Sequence, residues 1–230
     1  MKTVLITGAT KGIGLETARQ LAQNGFRVFI TGRNENKLLQ AKNKLQAEGH
    51  TVETLLLDVN DEKSITEAAH TFAAHNCKLD VLINNAAVLL KNDTHLATDD
   101  ARVFEETFRT NVHGPLRVTQ ALLPHMNSPA RIINISSAGG SMSEPVGGWS
   151  PAYCVSKTAL NGITRQLAAE LAPRKIAVNA VHPGWVKTDM GGSSAPRSIE
   201  KGAETPVWLA SEAGQELTGL FFMDKKAMNW

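Results

Sequence analysis

Short apolar runs alternate with longer amphipathic stretches along most of this chain of 230 residues. The apolar runs are rich in branched side chains, which is typical of β-strands. They predict strands at residues 3–7, 27–31, 51–57, 80–84, 131–136, 175–181 and 219–223. The amphipathic stretches predict helices at residues 12–24, 35–48, 61–76, 99–126 and 151–171.

This alternation of strands and helices favours an α/β fold. We expect a Rossmann-type, doubly wound parallel sheet of about seven strands, with helices on both faces. No linker, repeat or low-complexity segment divides the sequence, so residues 1–230 are predicted to form one domain. Ligands of such sheets bind beyond the carboxyl ends of the strands, where we therefore expect the functional residues.

Composition and charge narrow the class of protein. A net charge of +2, evenly spread, gives no reason to expect nucleic acid or an anionic membrane as partner. No apolar run is long enough to span a bilayer, and the first one breaks at Thr7-Gly8, too early for a signal peptide. Cys77 and Cys154 form no disulfide framework, which favours a cytoplasmic protein. The seven histidines lack metal-binding spacing, so we expect no metal site.

A glycine-rich turn lies between the first predicted strand and the first predicted helix. Its sequence is TGATKGIG, residues 7–14. Glycines permit a tight turn and close backbone approach, and the free N–H groups at a helix start can bind a pyrophosphate. A plain strand–helix turn could carry the same glycines, so this loop alone is weak evidence for a nucleotide site.

The glycine spacing, GxxxGxG, resembles that of the short-chain dehydrogenase/reductase family. Further motifs follow in the family's order: NNAA at 84–87, where the family has NNAG, NISSAGG at 134–140, YCVSK at 153–157 and VHPGWVKTDM at 181–190. The resemblance covers most of the chain and implies a dinucleotide-dependent oxidoreductase. The cofactor-binding residues that it implies are Gly8, Thr10, Lys11, Gly12, Ile13, Gly14, Arg33, Asp58, Val59, Asn85, Ala86, Tyr153, Lys157, Pro183, Gly184, Val186 and Thr188.

The end of the second predicted strand indicates which dinucleotide is bound. NAD-binding Rossmann folds place an acid there to hold the ribose hydroxyls. This chain has Gly32 at that point, followed by Arg33, and its next acid is Glu35. An arginine fork suits a 2′-phosphate, and Lys11 can add a second positive charge. Either charge alone could be ordinary surface charge, but both together, with the acid missing, predict NADP(H).

The only tyrosine of the chain, Tyr153, precedes Lys157 by one helical turn. Ser150 can cap a helix that begins at Pro151, which places Tyr153 and Lys157 on one face. A phenol titrates near pH ~10, and a nearby ammonium, with the positive nicotinamide of oxidised cofactor, lowers that pKa. The family's YxxxK motif implies that Tyr153 gives a proton to a carbonyl oxygen as hydride reaches the carbon.

Two further residues complete the implied catalytic set of Asn111, Ser137, Tyr153 and Lys157. In the segment SSAGG the second serine matches the family position, so Ser137 is expected to orient the substrate, with Ser136 as the alternative. Pro115 lacks an N–H, so it cannot bond the backbone carbonyl of Asn111. In the family this asparagine supports a water that links the lysine to solvent.

The C-terminal third resembles the carbonyl reductases of the family, in GWVKTDMGG at 184–192, GAETPVWLA at 202–210 and the terminal Trp230. Animal carbonyl reductases carry a long insertion between the serine and the tyrosine, which keeps them monomeric. Only 15 residues intervene here. The resemblance therefore implies a homodimer, or a homotetramer, that pairs the helices at 99–126 and 151–171. The apolar residues Val155, Leu160, Ile163 and Leu167 are too many for one buried helix edge, which favours the same interface.

An apolar substrate site is expected near the tyrosine. Trp149, Trp185, Met190 and Leu89 could line it, although each could equally belong to the core. Residues 191–196, GGSSAP, could form a lid, and His182 could approach the substrate or simply pack at a strand end.

These observations predict NADPH-dependent reduction of an aldehyde or ketone to the alcohol, on a small-molecule carbonyl or alcohol substrate. The alternatives within enzymes are a 3-oxoacyl thioester reductase and an alcohol dehydrogenase. A non-catalytic NADP(H)-binding sensor is less favoured, because it would be expected to lack the tyrosine or the lysine.

Overall fold

The computed structural model of the chain describes residues 1–143 and 148–230, and the apolar runs form one eight-stranded sheet. Its strands are β1 (Thr3–Ile6), β2 (Arg27–Gly32), β3 (Val52–Leu56), β4 (Leu79–Asn84), β5 (Met126–Ile135), β6 (Ile176–Val181), β7 (Phe221–Met223) and β8 (Lys226–Met228). The helices are α1 (Gly12–Gln23), α2 (Glu35–Ala47), α3 (Glu62–Ala74), α4 (Ala101–Phe108), α5 (Gly114–Leu122), α6 (Pro151–Leu171) and α7 (Ile199–Ser211).

The strands lie in the order β3-β2-β1-β4-β5-β6-β7-β8, and only the pair β7–β8 is antiparallel. The chain winds from β1 through β2 to β3, then returns to β4 and continues in the other direction. β1 and β4 are therefore the neighbours whose connections diverge, and such a switch point is where open α/β sheets bind ligands. The predicted doubly wound fold is confirmed, with β8 as an additional edge strand.

Apolar side chains cover both faces of the sheet. Along β1, Val4 and Ile6 pack in a cluster with α1, α2 and α7, whereas Leu5 packs in the opposite cluster with α3, α5 and α6. This alternation follows from the two-residue period of a strand, and burial of both faces explains the continuous apolar runs in the sequence. Within residues 1–143 and 148–230, no helix is both long enough and apolar enough to cross a membrane.

The helix predicted over residues 99–126 is divided in the structure. α4 ends at Phe108, a π-helical turn occupies Arg109–His113, and α5 follows with Pro115 near its start. The proline has no N–H to donate into the helical ladder, and a π-helical turn is one way in which a helix adapts to such a break. The prediction of one long helix was therefore wrong, although the path of the chain is nearly as expected.

The apolar pattern did not predict α7. This helix contains Pro206 in its interior, and its Gly202 lies so close to Val186 that an added Cβ would stand 2.8 Å from a valine methyl carbon. Glycine and proline both disfavour helix locally, but here packing of α7 against α1 outweighs their low propensity. Tertiary contacts thus stabilise a helix whose start is capped locally, by the Ser198 side chain that accepts from the Lys201 N–H at 3.2 Å.

Candidate active site

The predicted functional residues gather beyond the carboxyl ends of β1, β4, β5 and β6. The glycine-rich turn follows β1, and its Gly8 has a positive φ of 63°. A Cβ added at Gly8 would stand 2.9 Å from the Cα of Ala86, and one added at Gly14 would stand 2.8 Å from the carbonyl oxygen of Gly8. Glycine is therefore required at both positions by close backbone approach.

The segment after β4 is bound to this glycine turn. The side-chain amide of Asn85 donates to the carbonyl oxygens of Thr7 and Gly8, at 2.9 and 3.0 Å. The hydroxyl of Thr7 accepts from the backbone N–H groups of Asn85 and Ala86, at 2.9 and 3.0 Å. The segment NNAA, which stands where the family has NNAG, thus fixes the shape of the glycine-rich turn.

The start of α1 has free hydrogen-bonding capacity. No side chain in the described parts of the chain caps it, and its N-cap residue is Lys11. Lys11 forms an exposed ion pair with Asp189, which the sequence analysis did not anticipate. Thr188, beside Asp189, lies against this turn, with its methyl carbon 3.4 Å from a Cβ built at Gly12. The loop after β6 therefore lies across the glycine turn.

The end of β2 presents a glycine followed by an exposed arginine. Gly32 is buried against Thr10, whose methyl carbon would stand 2.6 Å from an added Cβ. Arg33 is exposed, and it forms no ion pair with any residue of 1–143 or 148–230. Beyond β3, the carboxylate of Asp58 accepts from the backbone N–H of Asn60 at 2.9 Å, which fixes the turn that contains Val59.

Residues 183–197 form a compact loop after β6. Val186 pairs with Arg197 in an isolated β-bridge, and Gly184, after Pro183, has a φ of 87°. Trp185 donates its indole N–H to the carbonyl of Gly191 at 2.8 Å, which ties the segment expected to act as a lid to the rest of the loop.

Tyr153, Ser137 and Lys157 converge at the centre of the site. Tyr153 and Lys157 are buried on α6, and the Ser137 hydroxyl lies close enough to the phenol to lower the pKa of Tyr153. The Lys157 Nζ donates to the carbonyl oxygen of Ile135 at 2.8 Å and stands 5.5 Å from the centroid of the tyrosine ring. A phenol, an alcohol and an amine thus share one buried corner beyond β5.

Burial dominates the ionisation of this corner. It raises the pKa of Tyr153 to about 12, against a smaller lowering by the hydrogen bond from Ser137. It also lowers the pKa of Lys157 to about 7. The expectation that the lysine would lower the pKa of the tyrosine is therefore wrong for the chain alone, because loss of solvent costs the phenolate more than its neighbours return.

The two candidate serines have different partners. Ser136 is buried, and its hydroxyl donates to the side-chain oxygen of Asn161 at 2.7 Å. Ser137 accepts from the backbone N–H of Gly139 at 3.1 Å and meets the tyrosine hydroxyl. The geometry therefore favours Ser137 for a role in the site.

Asn111 lies in the π-helical turn, and its side chain joins two segments. Its carbonyl oxygen accepts from the N–H of Val88 at 2.8 Å, and its amide donates to the carbonyl of Val88 and to the hydroxyl of Ser156. Ser156 in turn donates to the carbonyl oxygen of Tyr153 at 2.6 Å. Ser156, which sequence reasoning missed, therefore connects Asn111 to the helix that carries the tyrosine.

The start of α6 differs from the expectation. Ser150 has a left-handed backbone conformation, with φ 35° and ψ 66°, and its side chain makes no capping hydrogen bond. The carboxylate of Asp93 caps the helix instead, since it accepts from the N–H groups of Ala152 and Tyr153, both at 2.9 Å. Asp93 is distant in sequence from α6, so no local motif could have indicated it.

Apolar side chains surround the mouth of the site. Trp149 is 44% exposed with its ring centroid 5.8 Å from that of Tyr153, and Trp185 and Met190 are 56% and 44% exposed. Leu89 is half-buried. These four residues do not belong to the core, which leaves them available to a ligand.

His182 is held away from the ligand-facing surface. Burial lowers the pKa of His182 to about 4, and its Nδ1 accepts from the N–H of Gly184 at 3.3 Å. The side chain therefore packs as a neutral acceptor at the end of β6. Among the residues that the structure describes, no group of three histidine, cysteine or acidic side chains could hold a metal ion.

Comparisons with known proteins agree with this geometry. A sequence model of the family described as short chain dehydrogenase matches residues 2–198. The chain is similar to dehydrogenase/reductase SDR family member 4 of Homo sapiens, with 36% identity over 189 residues, 81% of this chain and 66% of that protein. It is similar to (+)-neomenthol dehydrogenase of Arabidopsis thaliana, with 32% identity over 96% of each chain. Its fold is similar to that of NADPH-bound carbonyl reductase from chicken fatty liver, with a TM-score of 0.91 and 30% identity over 100% of this chain and 99% of the other.

Proposed function

This chain belongs to the short chain dehydrogenase family, and we propose that within it the protein is an NADPH-dependent reductase of aldehydes and ketones. The observation that carries the proposal is the buried pair of Tyr153 and Lys157 on one face of α6, with the Lys157 Nζ 5.5 Å from the centroid of the tyrosine ring and the Ser137 hydroxyl beside the phenol. The proposal takes residues 1–230 as one catalytic domain, which the single continuous sheet supports.

Tyr153 is the proposed proton donor. A substrate oxygen placed between Tyr153 and Ser137 receives two O–H donors, and Tyr153 transfers its proton as negative charge develops there. The resulting phenolate is stabilised by the hydroxyl of Ser137 and by the ammonium of Lys157. In the reverse direction, the same phenolate accepts the proton of an alcohol.

Lys157 and Asn111 are proposed to restore that proton. Lys157 carries three N–H donors when charged, and one of them goes to Ile135, so others remain for the cofactor and for a water. Its pKa of about 7 allows proton exchange near neutrality. Asn111 is bonded through Ser156 to the backbone of Tyr153, one turn before Lys157, and we propose that a water held near Asn111 links Lys157 to solvent.

NADP(H) fits the residues around the glycine turn. The uncapped start of α1 offers N–H groups to a pyrophosphate, in a cradle that a side chain at Gly8 or Gly14 would fill. Asp58 and Val59 would contact the adenine, and the loop with Thr188 would hold the nicotinamide end. When bound, NADPH supplies the hydride for the carbonyl carbon. The neighbour from chicken fatty liver, a carbonyl reductase that binds NADPH, supports this choice.

Arg33 is expected to set the preference for NADPH over NADH. Replacing Arg33 with alanine removes the exposed guanidinium nearest the proposed 2′-phosphate, while Gly32 offers no ribose acid in exchange. A bidentate charged contact is worth about 1.5–3 kcal/mol, so we expect KM for NADPH to rise about 10- to 100-fold and KM for NADH to change little. Steady-state kinetics with both cofactors measures this.

The matched control is Arg102→Ala, which removes an exposed arginine on α4 that forms an ion pair with Asp100. It should leave both KM values unchanged. A native enzyme that turns over NADH as well as NADPH would contradict the cofactor assignment.

A substrate panel discriminates the remaining functions. Loss of NADPH absorbance with aromatic and aliphatic carbonyls, but not with 3-oxoacyl thioesters, supports the proposed reductase. Reduction of NADP⁺ by alcohols that is faster than oxidation of NADPH by carbonyls would favour the alcohol dehydrogenase alternative. The similarity to a neomenthol dehydrogenase supports testing it. Tight NADPH binding without any turnover would favour a sensor. The exposed Trp149, Trp185 and Met190 lead us to expect the best turnover with large apolar carbonyls.

The protein is also proposed to form a homodimer through α4, α5 and α6. Leu160 and Leu167, which the sequence placed at this interface, belong instead to the core of the subunit. The outer face of α6 instead presents Val155, 39% exposed, with Gly162 near it. Small residues let helices approach closely, and the half-exposed, stacked rings of Phe104 and Phe108 extend an apolar surface on α4.

Light scattering at micromolar concentration should therefore give at least twice the chain mass of 24.8 kDa. Gly162→Arg should reduce the mass to that of a monomer without unfolding it, since no atom lies within 4 Å of a Cβ added there. Leu39→Arg, on the exposed face of α2, is the control and should leave the assembly intact. A monomeric native protein would contradict the proposal.

A further inference from the structure

Asp93 makes an unusual contact at the start of α6. One carboxylate oxygen accepts from the N–H of Ala152 and the other from the N–H of Tyr153, both at 2.9 Å. Asp93 lies in the segment after β4, and its side chain reaches a helix that begins 58 residues later, at Pro151. It is only 4% exposed. A buried acid therefore binds the backbone of the residue that carries the proposed proton donor.

The contact satisfies the free N–H donors in the first turn of that helix. An α-helix leaves its first N–H groups without internal partners, but Pro151 has none, and the N–H of Cys154 bonds the carbonyl of Ser150 at 3.0 Å. Within the helix itself, Ala152 and Tyr153 therefore carry the free N–H groups, and Asp93 accepts from both. A negative carboxylate is also favoured by the helix dipole at this end, which offsets the cost of burying it.

Local residues cannot replace this cap. Ser150 occupies the usual capping position, but its left-handed conformation directs the chain away from the geometry in which a serine caps, and its side chain makes no capping bond. The first turn of α6, including Tyr153, is thus fixed by a group from another part of the sheet. Asp93 follows the segment that contacts the glycine turn, so the cap joins the cofactor side of the site to the helix of the proton donor.

The geometry points to Asp93 as a positioning residue: its carboxylate, bonded to the N–H groups of Ala152 and Tyr153, holds the tyrosine hydroxyl in register with Ser137. This inference rests on the proposed function, because it assigns Asp93 to the same reaction. Asp93 does not touch the substrate oxygen and acts through the backbone of α6. Misplacement of a reacting group by about 1 Å can cost about 100-fold in rate.

Two substitutions test the role in the full-length protein. Asp93→Asn keeps the shape and one accepting oxygen but presents an NH₂ group to the second backbone N–H. Asp93→Ala removes both acceptors. We expect kcat to fall about 10-fold in Asp93→Asn and about 100-fold in Asp93→Ala, with the dissociation constant for NADPH changed less than about threefold.

The control is Asp99→Asn. Asp99 also accepts from two backbone N–H groups, those of Thr94 and His95, but it is half-buried, and no hydrogen bond joins it to α6 among the described residues. Its substitution should leave kcat unchanged. This pair of variants separates the loss of a carboxylate in one segment from the loss of the cap on α6.

A spectroscopic measurement tests the placement without any substrate. Because Tyr153 is the only tyrosine, protein labelled with ¹³C-tyrosine gives the ring resonances of this residue alone. We expect these resonances to shift in Asp93→Asn and Asp93→Ala, and to stay unchanged in Asp99→Asn. The measurement holds even if the native protein reduces no carbonyl, so failure of the proposed function and failure of this inference are distinguishable.

Wild-type kcat together with an unshifted tyrosine resonance in Asp93→Asn would overturn the inference. So would an equal loss of NADPH binding, catalysis and cooperative unfolding in both Asp93 variants, since Asp93 would then support the fold in general. A selective fall in kcat with an altered tyrosine resonance supports it.

Discussion

Replacing Tyr153 with phenylalanine should nearly abolish carbonyl reduction while the protein still folds and binds NADPH. The substitution removes only the hydroxyl, and the ring keeps its packing beside Trp149, 5.8 Å away between centroids. General acid catalysis is typically worth about 10²–10⁴-fold, so kcat should fall by that factor. Steady-state kinetics, together with a fluorescence titration of NADPH, separates the loss of chemistry from loss of binding.

A second hydroxyl on the same helix provides the control for this experiment. Thr158 follows Tyr153 on α6 and donates to the carbonyl of Cys154 at 3.3 Å, within the helix. Thr158→Val should leave kcat within about twofold of the native value, because an exposed or helix-internal hydroxyl contributes little to the site. A loss of less than tenfold in Tyr153→Phe would show that another group donates the proton.

The phenylalanine variant should be only slightly less stable than the native protein below about pH 10, and the difference should shrink as the pH rises above that value. The phenol is buried and un-ionised below that pH, and its hydroxyl has Ser137 as partner, so removal costs one hydrogen bond of about 0.5–1.5 kcal/mol at most. The pKa of Tyr153 is raised in the folded state, to about 12. The stability linked to that shift is full below pH ~10 and is lost as the pH rises through about 12.

The fold was predictable because its strands and most of its helices can be recognised from the local pattern of apolar and polar residues. β1 and β2 are buried on both faces, so each reads as an apolar run, and the helices between them show their amphipathic period. α7 did not follow that pattern, since Gly202 and Pro206 disfavour helix and contacts with α1 and Val186 outweigh them. Propensity was a weaker determinant there than packing.

The site was predictable where its residues follow strands directly. Ser137 and Asn85 come just after β5 and β4, and the sheet brings those strand ends together. The cap of α6 was mispredicted because Ser150 matches the sequence rule for a capping residue but has a left-handed backbone. The true cap, Asp93, comes from a distant segment, and sequence spacing carries no signal for it.

Ionisation was the least predictable property of the site. A lysine one turn from a tyrosine suggests a lowered phenol pKa, but both side chains are almost fully buried. Burial acts on each group separately and makes both charged forms costly, so the pKa of the tyrosine rises and that of Lys157 falls. The depth of a side chain is a property of the fold, and a motif does not report it.

Lys157→Met tests that conclusion through stability as well as activity. Kinetically, loss of the ammonium leaves the phenolate of Tyr153 without its cation, so reduction should fall about 100-fold or more. The stability of the protein should also depend on this lysine. The pKa of Lys157 is about 7 in the folded chain and near ~10.4 in the unfolded chain, so between these pH values the folded state binds fewer protons than the unfolded state. The stability of the native protein should therefore rise with pH from about 7 to about 10.

The methionine variant lacks this titration, so the difference between the two proteins should itself depend on pH. At about pH 6 the native lysine is charged in the folded protein, and burial of that charge lowers the stability by on the order of 4 kcal/mol. The variant has no such charge. Its cost is the loss of the 2.8 Å hydrogen bond to the carbonyl of Ile135, which lowers the stability by about 1–3 kcal/mol. Thermal unfolding should show the variant at least as stable as the native protein at pH ~6, with its advantage lost by pH ~9. Lys44→Met, an exposed change on α2, should show no such pH dependence. A variant that is less stable by the same amount at every pH would show that the bond to Ile135, and not the buried charge, decides the stability of this corner.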